Sequence, residues 1–371
     1  MQQVCRELEH GMVDTATQPA VKHLSVSVLL VVHDASRYLT LLLEDIAKQD
    51  YPKEAMEVIV VDGGSTDDTA DVVGAWARTH PEQAVRCAGN PKGILSAGWN
   101  IAIQLATGDI VIRIDAHSRI PPDFVSRSAA CLAANEGESV CGGQRVSVCG
   151  QGLVATALWL CETSKFGAGA ARFRSSGEKR YLDTLAHAAY RRQVFAHVGT
   201  YDERLQRNQD IEMHCRMRRA GFRLLFDPRI VSYHQVRSTF RKYIAQKWQT
   251  GIWIGLLLAV QPRAIGLRHI LPACLVTVLM AWGMLQCLGS GAQLIGPLPV
   301  AVVAAYCGAA LSSALPRRER SGCGNWIAIC SLPALMFMTH VSYGVGTIWG
   351  LFNIPAFLLF AGPRWSQRCS H

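Results

Sequence analysis

Two short apolar runs that each stop on an aspartate, Val58-Ile59-Val60-Val61-Asp62 and Ile110-Val111-Ile112-Arg113-Ile114-Asp115, constrain this chain more than any other feature. Runs this short and this rich in β-branched residues read as strands of a parallel sheet covered on both faces. An acid at the carboxyl end of such a strand sits where open α/β sheets bind ligands. The first run continues into Gly63-Gly64 and then Ser65-Thr66-Asp67-Asp68, a glycine turn leading into helix-capping residues. The second continues into Ala116-His117. The two acids are expected on neighbouring strand ends, pointing into one crevice.

The surrounding segments keep the same rhythm. A strand over Val26 to Val32 precedes an amphipathic helix around Tyr38 to Lys48, and the Glu57 to Val61 strand precedes a helix reaching about Arg78. A third strand near Gln83 to Ala88 is followed by Lys92-Gly93 and a helix to Ala106, and then by the Asp115 strand. Strands alternating with helical patterns imply βαβ units and a mostly parallel sheet. No G-x-G-x-x-G follows either acidic strand, so a dinucleotide-dependent hydride transfer loses its main support. Residues 1–24 read as a flexible tail.

Half of the 371 residues are hydrophobic, and the excess lies after residue 250. Stretches 269–289, 292–315 and 326–350 contain no Asp, Glu, Lys or Arg, and about 20 such residues span a bilayer. The expected organisation is therefore a domain over 25–250, an interfacial segment over 251–268, a membrane domain over 269–361 with about three transmembrane helices, and a tail over 362–371. Met1 to Lys22 has no apolar signal core, and Arg317-Arg318-Glu319-Arg320 would form a positive loop between the second and third spans. Both point to a multi-pass inner-membrane protein with its first domain in the cytoplasm.

The formal charge of +9 is spread among acids with no basic run interleaved with aromatics, which argues against nucleic acid as a partner. An anionic lipid bilayer and a diphosphate substrate account for it better. The thirteen cysteines show no zinc spacing.

The motifs resemble the nucleotide-sugar domain of family 2 glycosyltransferases, the GT-A fold, over roughly residues 25–250. Asp115-Ala116-His117, the Val61 to Asp67 segment and Asn208-Gln209-Asp210-Ile211-Glu212 are most like those of the succinoglycan-type exopolysaccharide transferases. The resemblance implies an α/β GT-A domain followed by C-terminal transmembrane helices. It also implies an inverting transfer of a sugar, glucose from UDP-glucose or a close relative, to a polyprenyl-diphosphate-linked saccharide.

By the same resemblance, Asp62 contacts nucleobase or ribose, Asp115 holds ribose and metal diphosphate, and His117 takes the third place of the D-x-D pattern. The metal would be Mn²⁺ or Mg²⁺. Lys92 is a candidate contact to the nucleotide or its phosphate. Asp210 is the candidate base for the acceptor hydroxyl, with Glu212 as fallback. Each also has a plainer reading: Asp62 as a turn former, His117 as a loop residue, Lys92 as a solvated charge, Asp210 as an acid favoured by a helix N-terminus.

The chain departs from the family in three places. The first strand ends in His33-Asp34 where relatives carry Pro-x-Tyr-Asn-Glu, leaving Asp34 as a substitute contact or a helix-start acid. Gln209 replaces a glutamate, and Gln249 follows Gln246 where processive relatives have Arg before Trp, which points away from a polymer-threading synthase. Two alternatives stay open, transfer to polyprenyl phosphate itself and a catalytically silent member of a polysaccharide assembly complex.

Overall fold

A strand whose every residue is apolar except Ser27 must be covered on both sides, and Val26–Val32 is buried along its whole length. The computed structural model describes residues 24–167, 172–174, 177–288, 298–321 and 326–360. The strands are β1 (Val26–Val32), β2 (Met56–Asp62), β3 (Ala84–Gly89), β4 (Ile110–Asp115), β5 (Ser118–Arg119), β6 (Val140–Val148), β7 (Arg180–Tyr181), β8 (Ala186–Arg191) and β9 (Leu224–Gln235). The first helices are α1 (Ser36–Ala47), α2 (Thr69–Thr79), α3 (Leu95–Leu105), α4 (Phe124–Ala133), α5 (Leu153–Thr163), α6 (Gln193–Val198) and α7 (Gln209–Arg219). They are followed by α8 (Phe240–Val260), α9 (Leu267–Cys287), α10 (Leu298–Ser321), α11 (Trp326–Cys330), α12 (Leu332–Phe352) and α13 (Ile354–Phe360).

The sheet runs β3-β2-β1-β4-β8-β6-β9-β5, with β7 paired to β9. The first four strands are parallel; β8 is antiparallel to β4 and β6, and β6 and β9 are again parallel. Alternation along β1 divides the core. Val28, Leu30 and Val32 face Leu39, Leu42, Leu43 and Phe124, whereas Leu29 and Val31 face Trp99, Ile103 and Tyr190. Each such aliphatic side chain contributes about 1.5–3 kcal/mol when fully buried. Helix α3 comes close to the sheet because Gly98 has no side chain: a Cβ there would lie 2.6 Å from Val31 Cγ1.

The order of the strands reverses at β1, with β2 and β4 as its two neighbours. A crevice opens outside the carboxyl ends at such a switch point. Asp62 lies in register with Val32, and Asp115 with Val31. The two acids thus end strands that flank β1 and are not neighbours, which corrects the expected adjacency. Two strand spacings separate them, roughly 10 Å.

The C-terminal part departs further from expectation. Among the described residues, one helix, α9, is long and apolar enough to cross a membrane, which does not support the expected multi-pass arrangement. In α10 the apolar residues give way to Arg317-Arg318-Glu319-Arg320 within the same helix. Helix α12 is diluted by Thr339, His340, Ser342 and Tyr343, and eight of its 21 residues are buried. The boundary expected at 250 falls inside the continuous helix α8, and Ile252 to Leu257 are buried, unlike an interfacial segment. Residues 1–23 and 361–371, which hold nearly all of the two expected tails, lie outside the described residues.

Helices α8 and α12 touch backbone to backbone. A Cβ on Gly251, Gly255, Gly346 or Gly350 would overlap main-chain atoms of the facing helix. Helix α12 also joins α5 and α8 in one apolar cluster containing Leu158, Cys161, Tyr243, Leu335 and Met336.

Candidate active site

The turn after β2 is tied by its own side chains. Asp62 accepts hydrogen bonds from the Ser65 amide, at 3.1 and 3.2 Å, and from Ser65 Oγ at 2.5 Å. Asp34 at the end of β1 accepts from the Thr66 amide at 2.8 Å, and its own amide donates to Ser65 Oγ at 2.9 Å. Asp34 is thus a strut between the first two strand ends. Asp67 completes the rim: it accepts from the Ser36 amide at 3.1 Å and from Thr69, whose hydrogen bond leads in lowering the Asp67 pKa to about 2.

Lys92 stands on the adjoining turn. The Asn90 amide donates to the Asp62 carbonyl at 2.7 Å, and a Cβ on Gly93 would sit 3.8 Å from Gly63 O. Lys92 Nζ is 2.5 Å from Glu203 Oε2, while Glu203 also accepts from Asn100 at 3.1 Å. The structure therefore brings Lys92 beside the Asp62 turn, paired with an acid and half exposed.

Asp115 is gripped from two sides. Arg113 Nη2 lies 3.2 Å from Oδ1, and His187 Nε2 lies 3.4 Å from Oδ2. Burial alone would raise the carboxyl pKa; Arg113 and His187 overturn that and hold it well below the usual range. Arg113 is itself sandwiched, 4.6 Å from the Trp99 ring and 5.8 Å from that of Tyr201. His187 is oriented by Ser232 Oγ at 2.8 Å and Ser118 Oγ at 3.1 Å.

His117 opens to solvent yet is flanked by protein, and burial lowers its pKa against the opposing pull of Asp115, with Arg237 and Arg145 adding to the lowering. Its ring meets that of His234 edge-on at 5.0 Å between centroids. His234 Nδ1 is buried with no hydrogen-bond partner, as are Arg145 Nε and Ser147 Oγ on β6. Orphaned polar atoms of this kind call for an absent partner. A carboxylate beside two imidazoles suits a first-row divalent ion. Among the described residues no set of three His, Cys, Asp or Glu forms a complete cage; substrate phosphates and water would supply the remaining ligands, as they do for divalent ions bound by one or two carboxylates.

Asp210 stands in the first turn of α7, where its Oδ1 accepts from the Ile211 amide at 3.0 Å. Its charge reaches Arg113, Arg145 and Tyr190, so α7 brings it to the same centre as Asp115. Glu212 is not interchangeable with it: buried, it receives Arg216 Nε at 2.7 Å and Nη2 at 2.9 Å. Gln209 is buried at the helix start and points to packing.

Three non-glycine residues among those described have positive φ, namely Asp34 (44°), His187 (45°) and Asn208 (58°). His187 touches Asp115 and Asn208 precedes α7, while Asp34 belongs to the Asp62 turn; backbone strain of about 1–3 kcal/mol each tends to be stored at such sites. Sequence reading passed over Arg113, His187, His234 and Arg145. The one available signal was Arg113 inside an apolar strand, since a buried charge requires a partner.

The family described as glycosyl transferase family 2 matches residues 27–199. The chain is 31% identical over 288 residues to the succinoglycan biosynthesis protein ExoA of Rhizobium meliloti, spanning 76% of this chain and 83% of that one. A Methanococcus voltae dolichyl N-acetyl-alpha-D-glucosaminyl phosphate 3-beta-D-2,3-diacetamido-2,3-dideoxy-beta-D-glucuronosyltransferase is 25% identical over 237 residues, covering 63% of this chain and 74% of that protein. Among solved structures, the mannosyltransferase PcManGT from Pyrobaculum calidifontis, in complex with GDP-Man and Mn²⁺, superposes with a TM-score of 0.53 at 18% identity over 89% of this chain and 88% of that one. That likeness shows the GT-A fold. Sheet order, strand-end acids and the extent of the match to ExoA agree: the chain belongs to glycosyltransferase family 2 and is a glycosyltransferase.

Proposed function

We propose that this enzyme transfers a hexose, glucose in our reading, from a UDP-sugar to a polyprenyl-diphosphate-linked saccharide with inversion, as a step in exopolysaccharide assembly at the inner membrane. The observation that carries the reading is Asp115 at a strand end beside the β1 switch point, ion-paired to Arg113 at 3.2 Å, with Asp210 of α7 acting on the same guanidinium. ExoA is a succinoglycan biosynthesis protein, and the Methanococcus voltae enzyme acts on a dolichyl sugar phosphate by name. The first supports a place in exopolysaccharide assembly, and the second a lipid-linked sugar acceptor.

In this mechanism the nucleoside lies along the Asp62 and Lys92 turns, and the diphosphate passes over Asp115. Asp115 and His117 would hold Mn²⁺ or Mg²⁺, with substrate phosphates and water as the remaining ligands. Such an ion supplies positive charge against the departing diphosphate. Arg145 adds a fixed cation to the same region: burial, and repulsion by Arg174 after it, lower its pKa only to about 10, so it stays protonated at neutral pH. Asp210 takes the proton of the acceptor hydroxyl on the face of the sugar opposite the leaving group. Exposed α9 rests in or on the bilayer and keeps the domain on the cytoplasmic surface.

The test is a membrane preparation assayed with labelled nucleotide sugars and lipid-linked acceptors. Asp210→Asn should lower transfer by about 10²–10⁴-fold while changing donor affinity by less than about threefold. Excess chelator should stop the wild-type reaction. Near-parental transfer by Asp210→Asn would remove that residue from the mechanism, and label appearing in a polyprenyl monophosphate product would identify a different acceptor.

A further inference from the structure

Beside the start of α7 lies a cavity of about 470 Å³, within the roughly 300–1,000 Å³ usual for small-ligand sites. Its wall carries Arg207, Arg237 and Lys242 and no Asp or Glu. Among the described residues no carboxylate pairs with any of the three, whereas Lys92, Arg113, Arg174 and Lys247 all have one. Three unpaired cations converging on one hollow repel each other, and Arg237 is close enough to depress the Arg207 pKa after burial has done so. Their mutual cost is relieved by a multiply charged anion.

The cavity lies on the Asp210 side of the centre: Gln206 and Arg207 belong to the loop that leads into α7, Arg207 three residues before Asp210, and no residue of the Asp62 turn lines it, while Arg237 also acts on the His117 ring. The opposite wall is α8, on which Lys242, Gln246, Gln249 and Trp253 recur at intervals of four, three and four residues, the spacing of one helix face. Gly251 and Gly255 occupy the other face, against α12. Helix α12 in turn packs on α9, whose Leu271, Val278, Met280 and Met284 are more than half exposed. A polar hollow for an anion thus backs onto the helices that lead to the exposed apolar surface.

We infer that Arg207, Arg237 and Lys242 bind the diphosphate of a prenyl-linked acceptor, presenting its sugar to Asp210. The inference deepens the transferase reading and rests on it. In the full chain in detergent micelles, the probes are farnesyl diphosphate, inorganic diphosphate and UDP with Mn²⁺, measured by equilibrium binding. The variant Arg207→Gln/Arg237→Gln/Lys242→Gln should lose at least about tenfold in farnesyl diphosphate affinity, the equivalent of one charge-assisted hydrogen bond. Its UDP affinity should change by less than about twofold, which also reports that it has folded. An equal loss of UDP affinity would overturn the assignment, because the cations would then serve the donor. Inorganic diphosphate binding as tightly as farnesyl diphosphate would overturn the lipid part. Wild-type protein that binds UDP but not farnesyl diphosphate would sink this inference and leave the transferase reading standing; binding of farnesyl diphosphate with no transfer from any nucleotide sugar would sink the transferase reading instead.

Discussion

Asp210 and Glu212 are two residues apart on one helix start, and their surroundings give them different work. Glu212 is buried in a two-pronged pair with Arg216, which also donates to Thr200 O at 2.7 Å. Removing one partner of such a buried pair costs about 3–5 kcal/mol. Glu212→Gln, which keeps one hydrogen-bond acceptor, should lower the melting temperature by several degrees while leaving kcat per folded molecule within about threefold. A large fall in kcat at unchanged stability would give Glu212 a direct part in the chemistry. His214, on the same helix, is buried between Thr184 Oγ1 and Tyr190 OH, each 2.9 Å away. Burial, then repulsion by Arg113 and Arg218, lowers its pKa from 6.5 to about 3. The unfolded chain therefore binds a proton that the folded chain refuses between those values. Its contribution to stability is fully present above pH 6.5 and is lost as pH falls toward 3, at up to about 1.4 kcal/mol per pH unit. Thermal denaturation from pH 7 to pH 4 should show a shallower acid slope in His214→Gln than in wild type; parallel slopes would refute the neutral buried histidine.

Among the elements, the pair α8 and α12 carries most of the non-local packing after the sheet. Glycines allow main chains to approach until the helices share backbone contacts, and Thr347 and Tyr343 fill the flanks. Helix α8 is also anchored to α5 by Lys247, whose Nζ is 2.5 Å from Glu162 Oε2, with Arg174 on the other carboxylate oxygen. For Glu162 burial would raise the pKa, and the two cations drive it far below the carboxylate range. Gly255→Val should force the helices apart and cost more than about 3 kcal/mol, because backbone on the far side has no rotamer with which to yield. A circular-dichroism melt unchanged from wild type would show that the helices separate without cost.

For the whole molecule, the apolar pattern after residue 250 invites a cut between a catalytic domain and a membrane part. The packing forbids it there. Leu158 and Cys161 of α5 share a cluster with Tyr243 of α8 and with Leu332, Leu335 and Met336 of the last helices. A chain ending at residue 250 should expose this surface and aggregate. A monodisperse fragment on size-exclusion chromatography with undiminished UDP binding would overturn that view. The amino-acid sequence by itself determined the strand order in time, the helices between, and the acids at strand ends, because residue periodicity and turn chemistry are local. Val26–Val32 and α3 are legible to within a residue or two for that reason. Only the tertiary structure decided that β1 separates Asp62 from Asp115, that His187 comes across from β8 to hold Asp115, and that α12 covers α8. Those are contacts between residues distant in the chain, and apolarity that serves a bilayer looks the same, residue by residue, as apolarity that serves another helix.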